Sequence, residues 1–583
     1  MGNPIPGYHG VLLEVDLSKG KVNQLPVSPE DASKFVGGRG LGIKILWDRL
    51  KKPGIDALSP ENPLMFLPGP LSGFPIPSVS RTCIVTKSAL TSPVKSRYRS
   101  ASTISYSNVG GFFGPEIKFA GYDGIIVTGK ATSPAYLYID DDKVEVRDAR
   151  RFWGMRTNDF DIAFTEELGD RKFETCYIGP AGENLVRYAA ILHTSARAAG
   201  RGGVGCVMGS KNLKAIAVKG TKMPEVAEHK RFVDLLEEVR SSFKDWPGTD
   251  RWRRYGTAGA IIDRSDRGIQ SVKNFREGTF SEAHKIGGIA AEQNIWVRDL
   301  ACYCCPLACK KVGVVRGGPY AGVYHDGPEY ETGTMMGANL LIGDLSGLMK
   351  EIAELDDYGL DQISTGNVIG FLMEAYEKGY IDRKFLDGID LKWGDVEATL
   401  ALIEKITHRE GLGDLASRGV KALASEIGRD SHEFAIHCKG QELAAHNVHA
   451  NPPRAFCYAT SNRGACHLSG DSLGHLNLLG AITGQTWDFP SYINTGERIF
   501  NLEKCFNYRE GFRRRDDALP DRFFEEPLTL GPAKGAALKR DEFEKTLDNY
   551  YSERGWDPKT TRPSKEKLTS LGLDFAWKEI RRL

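Results

Sequence analysis

The sequence predicts an α+β chain, an N-terminal β-rich domain followed by two mainly helical domains. Three observations predict it. Across residues 1–215, short runs of β-branched and aromatic residues alternate with turns rich in Gly, Asp and Ser, the pattern of strands and hairpins. Beyond them apolar residues recur at helical spacing with charges between, first in Phe232, Leu235, Leu236, Val239 and Phe243. And 583 residues are too many for one core. The expected division is 1–215, 216–412 and 413–583, with Gly411-Leu412-Gly413 at the second boundary.

In order, residues 10–17 read as a strand that turns through Ser18-Lys19-Gly20 into residues 21–25, a hairpin. The cluster Gly37-Gly38-Arg39-Gly40-Leu41-Gly42 follows no clear strand, which argues against a dinucleotide fold. Residues 62–73, 80–86 and 107–111 continue the β character, and Ile125-Ile126-Val127 is a strand between glycines. Residues 135–139 and 144–146 form a hairpin around Asp140-Asp141-Asp142-Lys143, and the β region closes at 213–218. Helices are expected at 228–246, 345–357, 363–378, 396–408, 419–426, 498–511 and 565–582.

Composition bounds the function. Hydrophobic content of 41% and charge of 26% are those of a globular protein. A formal net charge of +1 gives no bias toward nucleic acid or anionic membrane. No apolar run reaches the roughly 18 residues a membrane span needs. The first residues lack the basic and apolar regions of a signal peptide, and the eleven cysteines form no framework of pairs. A reducing, cytoplasmic location is expected, with cysteine serving metal rather than disulfides.

Two stretches carry chemistry. Cys302, Cys304, Cys305 and Cys309 fall within eight residues, and skipping Cys304 leaves Cys302-x2-Cys305-x3-Cys309. Three thiolates so spaced can converge on an iron–sulfur cluster. A zinc knuckle and plain buried thiols are the other readings, and the absence of a nearby histidine pair weakens zinc. In Arg197-Ala198-Ala199-Gly200-Arg201-Gly202-Gly203-Val204-Gly205, glycines let backbone N–H groups approach an anion while guanidinium donates to its oxygens. A solvent turn is the bland alternative.

These pieces, with Gly69-Pro70-Leu71-Ser72-Gly73, Ser107–Gly111, Lys118–Asp123, Gly327-Pro328-Glu329-Tyr330-Glu331-Thr332, Asp356-x2-Gly359-Leu360-Asp361, Ala459–His467 and the segment 496–511, resemble in their order the tungsten-dependent aldehyde:ferredoxin oxidoreductase family. The resemblance spans nearly the whole chain. It implies a tungsten bis-pterin cofactor (tungstopterin) beside a [4Fe–4S] cluster, over an N-terminal β domain that serves as the cofactor base. By motif, Arg81, Asn108, Gly110, Arg197 and Ala198 would contact the pterins, their phosphates or a bridging magnesium. Asp356 and Asp361 would hydrogen-bond a pterin, which suits carboxylates facing ring N–H donors; both could equally be helix-terminal acids. Glu331, Glu329 and His467 would handle protons near the metal. The implied reaction oxidises an aldehyde to a carboxylic acid and passes electrons to ferredoxin or a ferredoxin-like subunit, in an oligomer. Low-potential reduction of an aromatic acyl thioester is the alternative, and a non-catalytic homologue is the third reading.

One departure stands out. The family motif Asp-x2-Gly-Leu-Cys supplies the fourth cluster thiolate, but its nearest match here is Asp471-Ser472-Leu473-Gly474-His475-Leu476, which follows Cys466-His467 almost at once. Leucine stands where cysteine is expected. Asp471 is carried over as a cofactor contact. Cys302, Cys305 and Cys309 are the expected metal ligands, with Cys505 taken for the fourth corner and His475, Cys466 and Cys304 as other candidates; a cluster with three protein ligands, or no cluster at all, are the remaining readings.

Overall fold

The computed structural model describes residues 5–194, 197–468 and 475–583. Two six-stranded sheets lie in the N-terminal part. The first is built from β1 (Val11–Asp16), β2 (Lys21–Pro26), β3 (Leu64–Leu67), β4 (Thr82–Lys87), β5 (Ile104–Val109) and β6 (Gly124–Thr128), in the order β2-β1-β6-β3-β4-β5. The second is built from β7 (Ala135–Asp140), β8 (Lys143–Asp148), β9 (Glu174–Tyr177), β10 (Ile191–His193), β11 (Arg197–Ala199) and β12 (Leu213–Lys219), in the order β11-β10-β9-β12-β7-β8. Both expected hairpins form, β1 with β2 and β7 with β8. Among the described residues the parallel pairs in the two sheets are β1 with β6 and β7 with β12.

The inner strands read as near-continuous apolar runs because both faces are covered, whereas the edge strands β2 and β8 stay polar and partly exposed. Successive side chains point to opposite faces. Leu13, Phe66, Ile84, Ile125 and Val127 therefore meet Leu137, Ile139, Ile191, Ile216 and Val218 of the second sheet in one core. Their neighbours Leu12, Met65, Leu67, Val85 and Ile126 face a second core with Trp47, Leu502, Cys505 and Phe506. On the far side of the second sheet Tyr136, Tyr177 and Leu192 pack on Phe152, Phe160 and Phe164. Each such side chain contributes about 1.5–3 kcal/mol when fully buried.

Beyond β12 the chain is mainly helical, as expected, and shares one large core. The helices Leu345–Tyr358 and Gln362–Glu377 are joined through Gly359, in the left-handed conformation at φ +79°, and capped by Asp344 and Asp361. The glycine cluster at 37–42, where a dinucleotide-binding turn was argued against, follows a helix and opens another, Gly38–Arg49. Two features differ from expectation. The segment 565–582 is two short helices, Lys565–Ser570 and Asp574–Ile580, broken at Gly572 with φ +69°. And the cysteine stretch, expected in a loop-rich part of a helical domain, is the loop of a hairpin between β13 (Trp296–Leu300) and β14 (Lys310–Val314), to which β15 (Tyr324–Asp326) adds. Among the described residues no helix is long and apolar enough to cross a membrane.

Candidate active site

The cysteine loop docks on the end of β5. Tyr303 donates its backbone N–H to the Gly111 carbonyl (3.2 Å), and its hydroxyl donates to the Gly73 carbonyl (3.2 Å). A Cβ on Gly110 would lie 3.2 Å from Cys302 Sγ, so the approach is as close as glycine allows. Arg197, on β11, donates from its guanidinium to Cys302 Sγ (3.1 Å) and to the Ala301 carbonyl (2.8 Å). Burial, together with the neighbouring Glu329, Cys302 and Cys305, pushes the Cys309 thiol up. Bound iron would reverse that shift by favouring the thiolate. Cys304 is exposed, with a left-handed backbone at φ +51°. Cys505 is not brought to this loop: it lies in the core with Trp47, Leu502 and Phe506, where burial pushes its thiol up and Arg509, Lys504 and Glu579 are its charged neighbours.

Arg201 ties three distant motifs together. Its guanidinium donates to Asp361 Oδ2 (3.2 Å), the Glu442 carbonyl (2.5 Å) and the Ala465 carbonyl (2.7 Å). Arg201 also donates its backbone N–H to Ser107 Oγ on β5 (3.2 Å). The turn that allows this is glycine-specific: a Cβ on Gly203, at φ +74°, would sit 2.1 Å from the Arg187 carbonyl oxygen. Elsewhere Arg39 of the glycine cluster meets Glu503 (2.5 and 2.6 Å), which also accepts from Asn462 (3.1 Å). The motifs separated in sequence thus converge through buried charge-assisted bonds.

The two candidate glutamates part company. Glu329 precedes the short helix Tyr330–Thr332, and its backbone N–H donates to Thr332 Oγ1 (3.0 Å). Glu331 points inward. Its Oε1 is 3.5 Å from His467 Nδ1 and 3.6 Å from His446 Nε2, and its Oε2 accepts from the Ala445 N–H (2.9 Å). Burial raises the Glu331 carboxyl, but His467, His446 and that N–H outweigh burial and hold it below the ordinary value. Burial lowers His467, yet Glu331 and Cys466 raise it more, to above its ordinary value. The result is a buried carboxylate–imidazolium pair. His446 stays neutral, pulled down to about 4 chiefly by burial, under the Tyr330 ring at 4.9 Å. Burial would raise Cys466, but Arg463, 2.6 Å from its sulfur, and His467 bring it to about 6.

His446 and Arg463 were not singled out from sequence as working residues; Arg201 was read only as part of an anion-binding stretch and Cys466 only as an alternative cluster ligand, and neither was expected in these contacts. His446 sits in Ala444-Ala445-His446-Asn447, which carries no motif, so no local signal could have found it.

Asp356 and Asp361 flank the turn at Gly359, one near the end of a helix and the other capping the next. Asp361 accepts from the Ile363 N–H (3.0 Å), from Ser364 Oγ (2.8 Å) and from Arg201, so it also caps its helix. Burial pushes Asp356 up to about 7, against His325, while Gln362 donates to it (2.8 Å). Arg81 and Ala198 are exposed, and Asn108 and Gly110 half-buried, at the ends of β4, β5 and β11. Asp471 lies outside the described residues.

The donor set fits an anionic, N–H-bearing cofactor. Arg201 Nε and Gln362 Oε1 are buried with no hydrogen bond among the described residues, while Glu331 Oε1 and His467 Nδ1 meet only at ion-pair distance, 3.5 Å, and Asp326 Oδ1 faces His325 at 3.2 Å. Orphaned buried polar atoms are costly unless a ligand or water completes them. Guanidinium groups suit phosphates and carboxylates suit ring N–H groups: Arg81 is exposed and Arg197 half-buried, while Asp356 and Asp361 are buried.

A three-thiol loop and a buried proton-handling pair, both anchored through the end of β5 and the Arg197–Gly205 turn, are the equipment of an electron-transferring oxidoreductase. Comparison with known proteins makes the class specific: the chain belongs to the aldehyde ferredoxin oxidoreductase family. The family's N-terminal domain matches residues 12–220, and its domains 2 and 3 match residues 234–476 and 474–573. The second match comes in two pieces that meet at the shortened stretch. The chain is 38% identical to the tungsten-containing aldehyde ferredoxin oxidoreductase of Pyrococcus furiosus, over 97% of this chain and 99% of that one. It is 34% identical to a Pyrococcus furiosus aliphatic sulfonate oxidoreductase, WOR-like subunit, over 99% of each. In structure it resembles the active-site complex BamBC of benzoyl coenzyme A reductase with 1,5-dienoyl-CoA, at TM-score 0.83 and 25% identity over 99% of both chains. Family membership implies a tungstopterin and an iron–sulfur centre.

Proposed function

We propose that the protein oxidises an aldehyde with water to a carboxylic acid, releasing two electrons and two protons, and passes the electrons to ferredoxin or a ferredoxin-like subunit. The observation that carries this is the Glu331–His467–His446 cluster, a buried site able to take up the released protons, in a chain whose tungsten-containing relatives are named for aldehydes. When bound, the tungstopterin would supply two-electron redox chemistry and Lewis acidity. Arg81 and Arg197 would hold its phosphates, with magnesium between them; Asn108, Gly110 and Ala198 would lie against it; Asp356 and Asp361 would accept from its N–H groups.

The chain's own part is proton handling. Glu331 Oε1 is ionised and hydrogen-bond-free, so it takes the first proton. His446 Nε2, neutral and 3.6 Å away, relays it outward. His467, as imidazolium, orients the carboxylate and stabilises negative charge developing on substrate oxygen. Glu329 sits beside Cys309 and answers to the cluster side. The test is anaerobic reduction of ferredoxin by the tungstate-grown protein over a panel of aliphatic and aromatic aldehydes. No reduction with any of them removes the reading. The likeness to benzoyl coenzyme A reductase favours a second reading, reduction of an aromatic acyl thioester, for which thioester-dependent oxidation of a reduced donor is the assay.

A further inference from the structure

The chain has eleven cysteines, and every one lies among the described residues. Their surroundings sort them. Cys302, Cys305 and Cys309 share the one loop between β13 and β14, Cys302 against Gly110 and Arg197 and Cys305 beside Ser78. The others have different company. Cys83 packs with Arg463 and Arg39, Cys176 with Glu174, Cys206 with Arg187 and Arg409, and Cys466 with Arg463 and His467. Cys438 donates to the Ala518 carbonyl (3.2 Å), Cys457 sits on the helix Pro452–Thr460, and Cys505 is in the core under the first sheet. Cys304 stays between two ligand positions, turned toward Tyr303.

What does reach the three-thiol loop is oxygen. Ser78, exposed and at φ +67°, has its hydroxyl 3.6 Å from Cys305 Sγ. Its loop is fixed to the cysteine loop by the Tyr303–Gly73 bond. Against Pro77, the preceding residue, comes the imidazole of His475, which bonds to the Pro77 carbonyl. Leu476 follows at once and starts the helix Leu476–Thr483. The chain therefore does return to this corner at the position where the resembling motif ends in cysteine, but it presents leucine, which cannot ligate iron.

We propose that the iron–sulfur cluster of this chain is held by three thiolates only, Cys302, Cys305 and Cys309, and that its fourth iron takes an oxygen ligand at the Ser78 side, from the Ser78 hydroxyl or from solvent. The inference rests on the cluster that family membership implies and not on the aldehyde reading. An iron without thiolate is exchangeable. One-electron oxidation of the [4Fe–4S]²⁺ form by ferricyanide gives [4Fe–4S]³⁺, which releases Fe²⁺ and leaves [3Fe–4S]⁺, so charge and iron balance.

The test uses the holoprotein, prepared anaerobically. Titration with ferricyanide is expected to remove about one iron in four and to raise the electron paramagnetic resonance signal of a three-iron cluster. Ferrous ⁵⁷Fe should then restore the cluster, with label at one site in the Mössbauer spectrum. Line broadening by H₂¹⁷O in the wild type assigns the ligand to solvent; broadening that appears only in Ser78→Ala assigns it to the hydroxyl. Ser78 is exposed, so the variant folds. A four-iron cluster that resists ferricyanide, or one converted to the exchangeable kind by Cys304→Ser, Cys457→Ser or Cys505→Ser, overturns the proposal. So does a ¹⁴N coupling on the unique iron that vanishes in His475→Ala. None of these results bears on whether aldehydes are oxidised, so the two claims fail separately.

Discussion

Glu331 shows how much one buried carboxylate depends on its neighbours. Burial alone would push its carboxyl up; two imidazoles and one backbone N–H bring it below the ordinary value instead. Glu331→Gln and His467→Asn preserve size and polarity while removing the titrating group. Each should lower turnover by about 10²–10⁴, the usual cost of a lost general acid or base, with tungsten and iron content unchanged. Glu329→Gln should cost less than Glu331→Gln. The pair also links stability to pH. His467 is raised in the folded state, so its contribution is fully present below the ordinary 6.5 and is lost as pH rises through the folded value. Glu331 is lowered, so its contribution is present above the ordinary 4.5 and is lost as pH falls through the folded value. The melting-temperature gap between wild type and His467→Asn, measured on cofactor-free protein, should be widest between those two values and close on either side. Glu331 and His467 were named from sequence because they sit in short family-like motifs, and the fold brings them within 3.5 Å. His446 was not, since its role comes from a 3.6 Å approach across the fold that leaves no local pattern.

At the scale of elements, the cysteine hairpin and the Arg197–Gly205 turn do most to build the site. The spacing of Cys302, Cys305 and Cys309 was readable, but the hairpin beneath them was not: β13 and β14 have five residues each and flank a loop longer than either. Strand signals that short are swamped by the loop. The helix break at Gly572 was missed because apolar spacing continues across it and only the positive φ reveals the turn. Gly256 packs against the cysteine loop, and a Cβ there would meet the Cys309 carbonyl oxygen at 2.2 Å. Gly256→Val should therefore push Cys309 out of place and lower bound iron, while far-ultraviolet circular dichroism stays unchanged. Arg197→Ala and Asn108→Ala should lower cofactor content with the fold kept, each leaving a polar cofactor group short of a partner at about 1–3 kcal/mol. Full cofactor in both variants would show that the phosphates lie elsewhere.

In the whole molecule, buried ion pairs pin the helical part together. Arg522 and Glu374 are both fully buried, 2.5 Å apart, and Asn274 shares the carboxylate. Arg522→Met would strand the Glu374 charge at about 3–5 kcal/mol and should lower the onset of thermal unfolding well before activity is lost at moderate temperature. The α+β architecture was readable from the change of period after residue 218, since a switch from 2 to 3.6 needs no tertiary information. Which motifs meet was not readable, because Arg201, Asp361, Glu442 and Ala465 join only through folding. That convergence underlies the central claim, a tungstopterin and an iron–sulfur cluster held in one chain. Elemental and pterin analysis of protein purified anaerobically from tungstate-supplied cells tests it most directly. The account predicts about one tungsten and two pterins per chain, with iron and acid-labile sulfide beside them. Folded, pure protein free of tungsten, molybdenum and pterin would contradict it.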